Sequence, residues 1–166
     1  MLAASYYFYM SWNRKYVGLM LLSTLITYLS GILLGKAEES DLSANKKLNK
    51  KRWIVAGSFI VNLGILFFFK YFNFASETLD QLFGAMSIQW SAPVINVLLP
   101  VGISFYTFQA LSYTADVYYG RVKPEYHFGH YALFVSFFPQ LVAGPIERTT
   151  RLLPQLKRDT VFDPNR

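Results

Sequence analysis

The sequence contains no cysteine, which excludes disulfides, zinc–thiolate sites, iron–sulfur clusters and thiol nucleophiles. Charge is scarce as well: 16% of the 166 residues are charged, where a soluble globular domain carries about 25%. Histidine occurs twice, at His127 and His130. No glycine-rich phosphate loop, zinc-helix motif or dinucleotide fingerprint is present. There is no internal repeat and no low-complexity tract. Apolar and aromatic residues are plentiful instead, at 53% and 18%, with 15 Phe and 12 Tyr. Such a composition excludes a disordered chain and disfavours an ordinary soluble domain. It predicts an all-α, polytopic transmembrane protein with the lipid bilayer as its first partner. The net charge of +6 does not point to nucleic acid, because the Lys and Arg residues flank apolar runs. There they meet anionic headgroups and set topology.

A helix needs about 20 apolar residues to cross the hydrocarbon core. Segment 16–35 (YVGLMLLSTLITYLSGILLG) meets that length without a charge, and 53–72 (WIVAGSFIVNLGILFFFKYF) meets it with Lys70 near its end. Segment 94–119 is longer and more polar, with Pro100 and Gly102 predicting a kink and Asp116 near the exit. Segment 128–146 is apolar but interrupted by Pro139, Gly144 and Pro145. Residues 1–12 (MLAASYYFYMSW) are apolar yet too short to span. They lack the basic lead of a signal peptide, and read as a cut-off helix or one lying in the interface.

Basic residues orient the chain. The linker 36–52, read as a solvated loop, carries Lys36, Lys46, Lys47, Lys50, Lys51 and Arg52 and belongs in the cytoplasm. The linker 73–93 has no Lys or Arg and belongs outside. Arg121 and Lys123 follow segment 94–119, and the tail carries Arg148, Arg151, Lys157 and Arg158. A full crossing by 128–146 would put that basic tail outside, so a tilted or re-entrant element is expected there. Broken backbone at membrane depth must be buried in protein or line a cavity.

Segment 94–119 is the richest in candidate chemistry. At 100° per residue, Gly102, Tyr106, Gln109, Ser112, Tyr113 and Asp116 share about a third of the helix circumference. Ile103, Thr107, Ala110, Leu111 and Thr114 fall on the opposite side. A polar stripe on a membrane helix faces protein or a wet cavity, and two roles fit it. It either holds helices together through hydrogen bonds or lines a substrate passage. Asp116 also has a simpler use, as the partner of Arg121. His127 and His130 sit at a spacing that can share a helix face, but Gly129 lies between them and no carboxylate is obviously paired with either. A place at the membrane surface explains both as well as base catalysis does. Gln140, beside Pro139, has an amide donor for the carbonyl that a proline frees.

The run LPVGISFYTFQALSYTADVYYG (99–120), with FVSFFPQLVAGPIERTTRLLPQL (134–156), resembles the membrane-bound O-acyltransferase family. The bacterial alginate O-acetyltransferase branch is the nearest in pattern. ASYYFYMSWN (4–13) and LLSTLITYLSGILLG (21–35) match the same branch, so the resemblance covers nearly the whole chain. It implies transfer of an acyl group, in the first instance acetyl, from a cytoplasmic thioester to a hydroxyl. The thioester is acetyl-CoA or an acyl carrier, used as donor and not as a resident cofactor. The acceptor is an exported polysaccharide or an extracytoplasmic protein that relays the group. Members place an essential histidine in a later helix, to which nothing here corresponds, and Tyr119 stands where the branch usually has arginine. The resemblance therefore implies an amino-terminal fragment of a bacterial inner-membrane enzyme, with no catalytic residue and no metal site of its own. Tyr106, Gln109, Ser112, Tyr113, Asp116 and Gln140 are its candidates for lining the passage. A transporter or channel fragment with 128–146 as a broken binding segment is the alternative, and a purely structural subunit is a third.

Overall fold

A computed structural model describes residues 2–12, 14–85, 102–137, 139 and 149–157. The described residues form six helices and no strand: α1 (Leu2–Trp12), α2 (Arg14–Glu39), α3 (Ala44–Ala85), α4 (Ile103–Tyr118), α5 (Phe128–Ser136) and α6 (Thr149–Leu156). Two stretches, Tyr16–Glu39 and Ala44–Phe72, are long and apolar enough to cross a membrane. Only 39% and 17% of their most apolar windows are buried. A soluble protein hides its apolar helices, whereas these expose Leu22, Leu29, Ile60 and Phe67. The outward apolar faces identify a membrane protein.

Charged stretches proved more helical than their composition predicts. Residues 36–52 are not a loop: α2 continues to Glu39, α3 starts at Ala44, and only 40–43 leave the helix. Lys, Leu and Ala are good helix formers, so polarity ends the membrane span without ending the helix. The linker reading of 73–93 also fails over its first part, because α3 runs on to Ala85. At 1.5 Å per residue α3 is about 63 Å long, twice the hydrocarbon thickness.

Serine and threonine in α2 satisfy themselves within the helix. Thr24 donates to the Met20 carbonyl (2.7 Å), Thr27 to Ser23 (2.8 Å) and Ser30 to Ile26 (2.8 Å). Ser23 instead reaches α3, donating to Asn62 Oδ1 at 2.5 Å, while the Asn62 amide donates to the Ser58 carbonyl at 2.9 Å. Helix α4 lies at the centre, packed against α2, α3, α5 and α6. Helix α1 packs on α2 and α5.

At Gly102, where a kink was expected, α4 starts: Gly102 caps it with φ of 74°. Pro100, with the rest of 94–101, lies outside the described residues. At the other end Gly120 takes φ of 70° and donates to the Val117 carbonyl (3.1 Å), while Arg121 N–H donates to that of Asp116 (2.8 Å). This is the Schellman ending, which glycine makes without strain. Of segment 128–146, α5 accounts for 128–136. It stops at Phe137, two residues before Pro139, and 140–148 lie outside the described residues.

Candidate functional site

The polar side chains of α4 go to different partners. Gln109 Nε2 donates to the Phe134 carbonyl of α5 at 2.9 Å. Phe134 is in the last turn of α5, where carbonyls lose their intrahelical donors; Gln109 supplies one from the neighbouring helix. Sequence assigned a similar duty to Gln140, which falls outside the described residues. The Tyr113 hydroxyl accepts the Glu125 N–H at 2.9 Å, and its ring lies 4.5 Å from that of Tyr131. Tyr131 in turn donates to Thr27 Oγ1 on α2 at 2.7 Å. Tyr106 packs edge-on against Tyr9 of α1, with centroids 6.4 Å apart. These contacts tie α1, α2, α4 and α5 into one unit.

Asp116 is buried and Ser112 half-buried, and both border a cavity. With Arg121 and Thr150 they line a cavity of about 490 Å³. The Schellman turn carries the Arg121 guanidinium back to Asp116, at 3.5 Å. On the side of α4 opposite the polar stripe, Ile103, Thr107, Ala110, Leu111 and Thr114 are buried as well. With four helices around α4, its apolar side is as enclosed as its polar one. The exposed strip of α4 runs through Phe105 and Phe108.

His127 has a structural task. Its Nδ1 accepts the His130 N–H at 3.4 Å and so caps α5, which assigns the ring proton to Nε2. Its own N–H donates to Glu125 Oε1 at 3.0 Å, and the two imidazoles stack with centroids 4.3 Å apart. Among the described residues no three His, Asp or Glu gather as a metal site.

One end of the bundle collects the cations. Lys51 bridges to Glu38 at 2.7 Å and lies over the Tyr118 ring at 5.4 Å, joining the α2–α3 turn to the end of α4. Lys157, in the turn just after α6, forms an ion pair with Glu125. The loop 119–127 is brought there by Gly35, whose missing Cβ would sit 2.7 Å from the Pro124 ring.

Sequence reasoning passed over Ser23, Asn62, Gly31, Gly35 and Glu125. Asn62 was detectable as the lone amide in an apolar run, and GILLG (31–35) as two small residues one turn apart.

No family model matches the chain. No solved structure matches it. Curated relatives do. A protein of Azotobacter vinelandii named "Probable alginate O-acetylase AlgI" is 36% identical over 160 residues, covering 96% of this chain and 30% of the relative. One of the same name from Pseudomonas aeruginosa is 35% identical over 160 residues, covering 96% and 29%. A "Peptidoglycan O-acetyltransferase" of Helicobacter pylori is 32% identical over 180 residues, covering 93% and 31%. The chain thus spans about a third of the length of these relatives. Over nearly its whole length it is similar to proteins named as O-acetyltransferases of alginate and of peptidoglycan.

Proposed function

We propose that this chain forms the amino-terminal helical part of an O-acetyltransferase of the bacterial inner membrane, within the membrane-bound O-acyltransferase family. The enzyme moves an acetyl group from a cytoplasmic thioester, acetyl-CoA or an acyl carrier, to a hydroxyl of an exported polysaccharide or of an extracytoplasmic relay protein. The observation that carries this reading is the similarity across 96% of the chain to named alginate O-acetylases. The geometry agrees with it. The cations gather at one end, which the positive-inside rule assigns to the cytoplasm, and the cavity beside Ser112 and Asp116 opens there.

In this reading the described residues build and orient rather than react. Gln109, Tyr113 and Tyr131 spend their polar groups on other helices, and His127 spends its free nitrogen on a cap. The general base that a hydroxyl acceptor requires belongs to the part of the enzyme beyond this third. Ser112 and Asp116 form part of the wall on the donor side.

The test uses the chain spliced in place of the matching third of the Azotobacter relative. Membranes containing the chimera, given radiolabelled acetyl-CoA and alginate, should label the polymer, whereas the 166-residue chain alone should stay at background. Failure of the chimera at normal membrane levels would contradict the proposal. Turnover by the chain alone, lost on His127→Ala or His130→Ala, would contradict the assignment of the base elsewhere.

A further inference from the structure

A second cavity, of about 360 Å³, adjoins the first at the basic end and shares Arg121 and Thr150 with it. Its wall includes Arg121, Lys123, Thr149, Thr150, Leu153 and Lys157. Three side chains are cationic and two carry hydroxyls, and among the described residues no carboxylate lines it. Thr149 is the informative member. It is fully buried, lines this cavity, and its Oγ1 has no hydrogen-bond partner among the described residues. A buried hydroxyl without a partner is uncommon, because leaving it unpaired costs more than one ordinary hydrogen bond gains.

Carboxylates hold Arg121 and Lys157 in place, and Lys123 carries its charge without an acidic partner among the described residues. Arg121 approaches Asp116 through one nitrogen only loosely, at 3.5 Å, and keeps further N–H groups for the cavity. Lys157 is anchored by Glu125, whose other oxygen accepts the His127 N–H. Lys123 is exposed and has no ion pair among the described residues. Arg121 follows directly from the Schellman turn at Gly120, so its position is set by backbone hydrogen bonds.

We propose that this cavity binds a phosphate group, with Arg121 and Lys123 supplying charge, Thr149 and Thr150 supplying hydroxyl hydrogen bonds, and Leu153 covering the apolar part of the ligand. A phosphate has the several acceptor oxygens that such donors need. It comes either from an anionic lipid headgroup, which clustered basic residues beside membrane spans attract, or from a soluble phosphate compound. The site stands on its own chemistry and does not depend on the acetyl-transfer reading.

The experiment titrates the full chain, purified in detergent and stripped of lipid, in two arms. Short-chain phosphatidylglycerol is followed by native mass spectrometry, and inorganic pyrophosphate by calorimetry. Lys123→Glu should weaken the arm that reports the true source by about tenfold or more. Thr149→Val, which keeps shape and removes the hydroxyl, should weaken it about threefold or more. Arg52→Glu reverses a cation on α3 that does not line the cavity, and should change binding less than about twofold. Sensitivity in the lipid arm identifies a headgroup site, and sensitivity in the pyrophosphate arm a soluble ligand. Lack of binding in both arms, indifference to Lys123→Glu and Thr149→Val, or an equal loss with Arg52→Glu would overturn the proposal.

Discussion

A Cβ placed on Gly31 would lie 2.5 Å from the Tyr113 hydroxyl oxygen and 2.7 Å from its Cε1, so α2 has room for the Tyr113 ring only because residue 31 has no side chain. Tyr113 cannot simply retreat. It is fully buried, its hydroxyl accepts the Glu125 N–H, and its ring packs on Tyr131. Gly31→Ala should therefore destabilise the protein by about 1–3 kcal/mol, as overpacking does. Gly57→Ala is the control, because a Cβ there meets nothing within 4 Å. Thermal unfolding in detergent should show a lower midpoint for Gly31→Ala and an unchanged or raised one for Gly57→Ala, since alanine is the better helix former.

Ser23 and Asn62 provide a polar tie between α2 and α3. A double-mutant cycle on Ser23→Ala and Asn62→Leu should return a coupling of about 0.6–1.7 kcal/mol, the range for such bonds between membrane helices. Coupling near zero would mean that each residue finds another partner when the first is lost.

His127→Ala should cost about 1 kcal/mol of stability through loss of the α5 cap. Asparagine, a good capping residue, should recover most of it. In the chimera, acetyl transfer per molecule of membrane protein should stay near the parent value for both variants. A large drop in specific activity at normal protein levels would give the imidazole a chemical role.

The cations gathered at one end predict that this end faces the cytoplasm and the far end of α3 the outside. Cysteines at Ser43 and Leu82 should react from opposite sides of the membrane. In intact cells an impermeant thiol reagent should modify Leu82→Cys and spare Ser43→Cys until the cells are opened. Labelling of both from outside would reverse the orientation argument.

Gln109 separates packing from passage. Its amide donates to the Phe134 carbonyl, so Gln109→Leu leaves that buried carbonyl short of a donor, at a cost of about 1–3 kcal/mol. The amount of folded protein in the membrane should fall while activity per molecule holds. Thr107 and Leu111 are no use as outward-facing controls, being buried themselves; Phe108, on the exposed strip, is the suitable one.

Hydropathy found the two spans at 16–35 and 53–72 because water-to-lipid transfer depends on composition alone, and α2 and α3 contain both. It misjudged the linkers because helix propensity continues through Lys, Leu and Glu after hydrophobicity has ended. The Asp116–Arg121 pair was legible, since its geometry follows from five residues and one glycine. The partner of Gln109 was not, because it is a main-chain carbonyl 25 residues away that any sequence would offer. Periodicity placed Tyr106, Gln109, Tyr113 and Asp116 on one face of α4, and all four are buried. It could not foresee that the other face is covered too, because that depends on how many helices surround α4.

The central claim, that this chain supplies one third of an O-acetyltransferase, is tested most directly in living cells. An Azotobacter strain lacking the relative, and carrying the chimera in its place, would be assayed for acetyl esters on its exported alginate. The account predicts acetylation well above that of the deletion strain. Alginate as bare as in the deletion strain, with the chimera inserted in the membrane at normal abundance, would contradict it.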